Sequence, residues 1–197
     1  KILSKKKFSK FTGKYYNNHF ATTSPKLYRR DKIETMSAAF SKDGRSFAAK
    51  NVDSLITMFS NISSLKKQIK NIKLEAKKHK NSIKVYGLLH IVCRKTDKEA
   101  EEYYNKYTGQ YADLEAAINF ISILNKGKSN SVLANLQKSQ IKKMAGGIGS
   151  YPVIGSPKTV LNVIKDLKKA KLDGIAIGFV NFKDELPYFI KKVYKNL

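Results

Sequence analysis

Cysteine is almost missing from this chain of 197 residues, in which Cys93 stands alone. A single thiol excludes an internal disulfide framework and suits a reducing cytoplasm. Cys93 lies inside an apolar run, so a buried, inert thiol is expected. The three histidines, His19, His79 and His90, are scattered, and with one cysteine they complete no metal-ligand spacing. No run of about 18 apolar residues occurs, and no basic-apolar-small signal pattern opens the chain. The sequence therefore reads as soluble and cytoplasmic, without a membrane partner. Acids are scarce too: 15 Asp and Glu face 39 Lys and Arg, for a formal net charge of +24. Such an excess ordinarily points to nucleic acid or an anionic surface. Arginine, however, is confined to Arg29, Arg30, Arg45 and Arg94, and arginine is the fork that reads phosphates and guanines. Lysine spread along the whole chain reads better as solvated helix faces than as a nucleic-acid footprint. The chain opens on Lys1 rather than methionine, so its start reads as a cut point.

What is present can bury a substantial core, since 42% of residues are hydrophobic and 11% aromatic. Residues 1–32 are basic and aromatic and read as a helix end and a long loop. Residues 33–50, IETMSAAFSKDGRSFAAK, then place a strand-like run (33–39), a polar turn and a helix start in succession. A hydroxyl, free amides and a glycine at a helix start suit an anion, although such turns also serve simply to reverse a chain. A second strand is expected at 52–59, and a helix with its N-cap at Ser63 or Ser64 carries the stripe Leu65, Ile69, Ile72 and Ala76. The apolar run 84–92 reads as a third, doubly buried strand. Thr96 and Glu99 have capping-box spacing ahead of a helix that passes Tyr107. Residues 108–144 look helical in parts, with Leu114, Ala117, Ile118 and Ile121 as their stripe.

Four glycines, at 146, 147, 149 and 155, then permit close backbone approach. Ser156-Pro157 marks a helix start, with Val160, Val163, Ile164 and Leu167 as its buried stripe. A fourth strand is expected at 175–180, followed by a last helix presenting Leu186, Ile190, Val193 and Leu197. Its opening acids, Asp184 and Glu185, are accounted for by the helix dipole. Strand followed by helix, four times, argues for a parallel sheet, either half of an eight-stranded β/α barrel or a small doubly wound sheet. In a barrel the chemistry would lie at strand C-termini, where Ser41, Ser60, Asn61, Arg94 and Asn181 fall.

Several stretches resemble the bacterial-luciferase-like flavin-dependent monooxygenases, in particular the pyrimidine and dimethyl sulfone monooxygenase-like subgroup. Phe8 to Tyr16 (FSKFTGKYY) is similar to the family segment before its fifth strand. The stretch from Ser41 to Asp53 (SKDGRSFAAKNVD) matches the family pattern Ser-x-x-Gly-x-x-Phe-Ala-Ala-x-x-Ala-Asp, with Val52 in place of alanine. Ile154-Gly155-Ser156-Pro157 resembles its Gly-Ser/Thr-Pro helix start, and GFVNFKDELPYF at 178–189 its closing segment. The resemblance implies an α/β fold, the C-terminal half of a (β/α)8 TIM barrel spanning 1–197 as one domain, with 108–144 as a helical insertion. It implies reduced FMN and O2 as co-reactants, a small organic substrate and a separate flavin reductase.

The same resemblance makes Ser41 an FMN-phosphate ligand, with backbone donors from Lys42, Asp43 and Gly44. Ser150 and Tyr151 stand either against flavin or substrate or in a purely structural loop. Arg45 either approaches the phosphate or faces solvent. His90 reads as a core or barrel-interior residue and His79 as exposed. Strands one to four would lie outside this chain, so activity would need the missing N-terminal half or a homo-oligomer. A non-catalytic half-barrel that pairs with itself and a lysine-rich nucleic-acid-binding module stand as alternatives.

Overall fold

The computed structural model describes residues 9–22, 24, 25, 28, 33–125 and 137–197. Among the described residues no helix is long and apolar enough to cross a membrane. The chain divides into two compact units, 1–35 and 36–197, each described by itself.

In the first unit, β1 (Ser9–Thr12) pairs antiparallel with β2 (Asn17–Ala21), Phe11 opposite Asn18 and Thr12 opposite Asn17. The Gly13 amide closes the turn on the Tyr16 carbonyl at 2.9 Å. This hairpin stands within the stretch 1–32, where a helix end and a long loop were expected; residues 1–8 lie outside those described. Aromatic and Thr side chains suit a pleated strand. At Gly13 an added Cβ would meet the far edge of the exposed Phe11 ring at 2.8 Å, so the ring lies close over the turn.

The second unit alternates strand and helix. Its elements are β3 (Met36–Ala38), α1 (Lys42–Asn51), β4 (Ser54–Thr57), α2 (Ile62–Lys78), β5 (Lys84–Cys93) and α3 (Asp97–Asn105). A π-helical turn (Lys106–Gln110), α4 (Leu114–Leu124), α5 (Lys138–Gly147), β6 (Tyr151–Gly155), α6 (Pro157–Lys169), β7 (Gly174–Gly178) and α7 (Phe182–Lys192) complete it. The four expected strands are present, and β6 is an addition. All five pair in parallel.

Register fixes the arrangement. Tyr86 and Gly87 pair with both β4 and β7, and Leu89 and His90 with both β6 and β7. A strand has only two edges, so β4 and β6 lie end to end on one edge of β5 and β7 occupies the other. The sheet is thus a four-strand arc, β3-β4-β5-β7, with β6 extending the rim beyond β4.

One core covers one face of this arc. From β5, Val85, Leu89, Ile91 and Cys93 pack with Leu65, Ile69, Ile72 and Ala76 of α2, Val160, Ile164 and Leu167 of α6, and Phe189 of α7. Each fully buried aliphatic side chain is worth about 1.5–3 kcal/mol. A doubly wound sheet would divide its helices between both faces; here α1, α2, α6 and α7 share one, as in half of a β/α barrel. Alternation places Tyr86, Leu88 and His90 on the opposite, concave face.

Two helices depart from expectation. Helix α2 starts earlier, because Asn61 and not Ser63 or Ser64 is its cap: its side chain accepts the Ser64 amide at 2.8 Å, and Ser64 Oγ accepts the Asn61 amide at 3.4 Å. Helix α7 is rotated, burying Glu185, Phe189 and Val193 while Leu186, Ile190 and Leu197 stay about half exposed. The cause lies at Glu185, described below. In α4 only Ala117 and Ile121 of the expected stripe are buried.

Candidate functional site

Parallel strands bring their C-terminal ends to one rim, where side chains from successive turns converge. At the end of β3, Ser41 is the N-cap of α1: its Oγ accepts the Gly44 amide at 3.0 Å. Because that hydroxyl is used as an acceptor, its own hydrogen is left to donate outward. Gly44 is tightly placed, since an added Cβ would lie 3.1 Å from both Ala39 Cβ and Ser41 Oγ. Lys42 and Asp43 are exposed in the first turn. Arg45 folds back over the turn and donates from Nη1 to the Phe40 carbonyl at 2.5 Å, which keeps a cation beside the cap. Expected site residues 41–44 thus form one turn. Ser60 and Asn61, at the end of β4, belong to the cap of α2.

A cleft of about 450 Å³ opens at the C-terminal end of β5 and β7, roofed by the last turn of α5. Leu88, Ile148, Phe179 and Val180 supply apolar walls, with His90, Tyr107 and Ser150 as its polar members. His90 Nε2 lies 2.5 Å from the Tyr107 hydroxyl. Burial lowers the His90 pKa, and the Glu185 carboxylate offsets this only in part, so the imidazole is held neutral. Burial likewise pushes the Tyr107 phenol up, reinforced by Tyr104, Glu185 and Tyr103 and opposed by Arg94. His90 is a concave-face residue, within the core-or-interior reading, and His79 caps the exposed end of α2.

The glycines of 145–151 do define a close approach, though its partner is protein. An added Cβ at Gly147 would meet Ser150 Oγ at 2.8 Å and His90 Cγ at 2.9 Å; one at Gly146 would meet Thr108 Cγ2 at 2.8 Å. Their bareness lets α5 settle onto β5 and the π-helical turn. Ser150 is buried and donates to the Gly147 carbonyl at 2.5 Å. Tyr151 begins β6 and stacks on Phe59 at 4.7 Å, so one face of its ring is taken. Ser150 therefore lines the β5–β7 cleft, while residues 41–44 do not.

Beside the cleft is a partly buried ion pair. Arg94 Nη2 meets Glu185 Oε1 at 2.5 Å, Nη1 donates to the Cys93 carbonyl at 2.9 Å, and the guanidinium lies 3.9 Å over the Tyr103 ring. The Asn181 amide donates to Glu185 Oε2 at 3.2 Å. Glu185 stands in the first turn as expected of a helix-start acid, but it is only 8% exposed because it also pairs inward with Arg94, and α7 is turned with it. Asp184 does remain at the exposed helix start, accepting from Asn181 Nδ2 at 2.7 Å. Cys93 is buried and its thiol is pushed up to about 11, chiefly by burial. Asp97 ties α3 to α6, accepting the Ser156 amide at 2.6 Å and Thr159 Oγ1 at 2.7 Å, bonds that hold its carboxyl below the usual range. No group of three metal-ligating side chains occurs among the described residues.

Tyr107 carried no sequence signal, because only the π-helical turn after α3 brings it to His90. Arg94 and Glu185 were visible singly, but their pairing joins residues 91 apart.

Comparison with known proteins agrees with this fold. The sequence pattern of the family described as Luciferase-like monooxygenase matches residues 1–174. The FMNH2-dependent dimethylsulfone monooxygenase of Pseudomonas putida is 26% identical over 187 residues, covering 93% of this chain and 51% of that protein. Its counterpart in Pseudomonas fluorescens (strain Pf0-1) is also 26% identical, with 50% of its length covered. Among solved structures, DmoA from Hyphomicrobium sulfonivorans superposes with a TM-score of 0.75 at 19% identity, covering 99% of this chain and 47% of that one. A long-chain alkane monooxygenase, LadA, gives 0.76 at 22% identity, with coverage of 97% and 46%. At these identities the structural likeness shows the fold, and the chain spans about half the length of the curated relatives it matches.

Proposed function

Because this chain belongs to the luciferase-like monooxygenase family, we propose that it is half of an FMN-dependent monooxygenase that uses reduced FMN and O2 to oxidise a small organic substrate. The observation that carries this reading is the Ser41 turn. It stands at the C-terminal end of a barrel strand, with a hydroxyl that accepts from Gly44 and so can still donate to a ligand, first-turn amides beside it and the Arg45 cation folded over it. That donor set fits a phosphate monoester. Ser41 through its hydroxyl and Lys42 and Asp43 through their backbone amides would hold the FMN phosphate, while Gly44, its amide bonded to Ser41 Oγ, fixes that hydroxyl in place.

When bound, reduced FMN supplies the electrons that activate O2, which leaves the protein to bind, orient and exclude water. Two strands along the rim, about 10 Å away at ordinary strand spacing, the apolar cleft at His90 serves the substrate. Ser150 shapes it by fixing the end of α5, and Tyr151 supports the rim through Phe59. The concave face exposes Met36 to 52% and leaves Tyr86 and Leu88 partly open; it is covered in the working enzyme by a second barrel half. A separate flavin reductase supplies the reduced cofactor.

Equilibrium titration with FMN tests this, run on the chain alone and with a complementing N-terminal barrel half. Saturable binding and substrate-dependent turnover in the completed form are expected. Absence of FMN binding in both forms contradicts the proposal.

A further inference from the structure

The imidazole in the cleft has two distinguishable nitrogens. Nε2 faces the Tyr107 hydroxyl at 2.5 Å. Nδ1 faces β7 at Gly178, the register partner of His90, where even an added Cβ would remain 3.8 Å away. With no side chain at 178, the cleft reaches that nitrogen.

A neutral imidazole carries one hydrogen, and its position is set by the bond the other nitrogen makes. Tyr107 keeps its phenolic hydrogen, since burial raises its pKa, and Nε2 lies within reach as acceptor. A phenol that donates to Nε2 leaves the imidazole hydrogen on Nδ1, on the side of the cleft. The other wall groups are apolar, and the Ser150 hydroxyl is already spent on the Gly147 carbonyl. Among the described residues, the cations beside the cleft have partners of their own: Arg94 with Glu185, Lys142 with Asn105 and over the Tyr104 ring, Lys143 over Tyr151. An anion entering the cleft would lose its hydration without gaining a counter-charge.

We propose that this cleft takes a small uncharged molecule bearing a hydrogen-bond-accepting oxygen, held by His90 Nδ1–H, and that Tyr107 is the positioning residue that fixes this tautomer. The proposal rests on reading the cleft as the substrate side of a flavin monooxygenase, and it deepens that reading by assigning this half of the lining to an uncharged acceptor rather than a carboxylate. A volume of about 450 Å³ is in the range of small-molecule sites.

The test is nitrogen-15 NMR on the full chain with labelled histidine at pH 7.5, where buried His90 is distinguished from exposed His19 and His79. His90 is expected as the neutral Nδ1–H form. Dimethyl sulfone, an uncharged acceptor, should shift its Nδ1 resonance saturably, while glutarate should leave it unmoved. In Tyr107→Phe the Nδ1–H form should give way to Nε2–H and the sulfone response should weaken about tenfold. A wild-type Nε2–H or imidazolium form, no response to the sulfone, or an equal response to glutarate overturns the inference, and none of these readings depends on the variant folding. FMN titration is scored separately. A chain that binds FMN yet shows Nε2–H overturns this inference alone, whereas Nδ1–H with a sulfone response but no FMN binding overturns only the monooxygenase reading.

Discussion

His90 shows how one buried side chain links stability to pH. Its folded-state pKa lies below the unfolded value because burial penalises the cation more than Glu185 favours it. Below the unfolded value the denatured chain binds the extra proton first, so the contribution of His90 is present above about pH 6.5 and is lost as pH falls through the depressed folded value. The groups coupled to it are Tyr107 by hydrogen bond and Glu185 by charge. Denaturant titrations between pH 7.5 and 5 should show wild type losing more stability than His90→Gln, whose amide can still accept from Tyr107. Equal losses would remove His90 from the account. At this scale, Cys93 as an inert thiol and Ser41 as a cap were readable from local sequence, because each depends on its immediate neighbours. The His90–Tyr107 contact was not, since it depends on how a helix ends seventeen residues later.

Among the elements, β5 organises the molecule, pairing with three strands and presenting the core on one face and the cleft on the other. Its continuous apolar run made it legible as a doubly buried strand. The α2 stripe was legible for the same reason, its period matching one helix face. Strand β6 was hidden because five residues containing Pro152 and ending at Gly155 carry no alternation, and the flanking glycines read as loop. Helix α7 misled because its best apolar stripe is not the buried one: the Arg94–Glu185 pair takes the inner position and leaves Leu186 and Ile190 outside. That assignment has a measurable consequence. Glu185→Ala leaves the partly buried Arg94 guanidinium without its carboxylate and should cost about 1–3 kcal/mol in chemical unfolding. Asp184→Ala, one residue away at the exposed helix start, should cost less than about 1 kcal/mol. Similar costs for the two would mean that the dipole, not the ion pair, sets the helix.

For the whole molecule, the alternation of strand and helix announced a parallel sheet, but periodicity left barrel and doubly wound forms open. The location of the main core decides it: α1, α2, α6 and α7 share one face, while α3 packs on the other only at the Val92 end of β5, and the family relatives extend to about twice this length. The excess of lysine had no bearing on the fold, because most of those side chains lie on solvated helix faces. The central claim is that the Ser41 turn seats the FMN phosphate. Fluorescence titration of wild type and Ser41→Ala with FMN, and with riboflavin, which lacks the phosphate, tests it most directly, using the chain complemented by an N-terminal barrel half. The account predicts that Ser41→Ala weakens FMN about tenfold, leaves riboflavin unchanged and costs about 1 kcal/mol of stability through the lost cap. Equal affinity of wild type and variant for FMN, or an equal loss for both flavins, would contradict it.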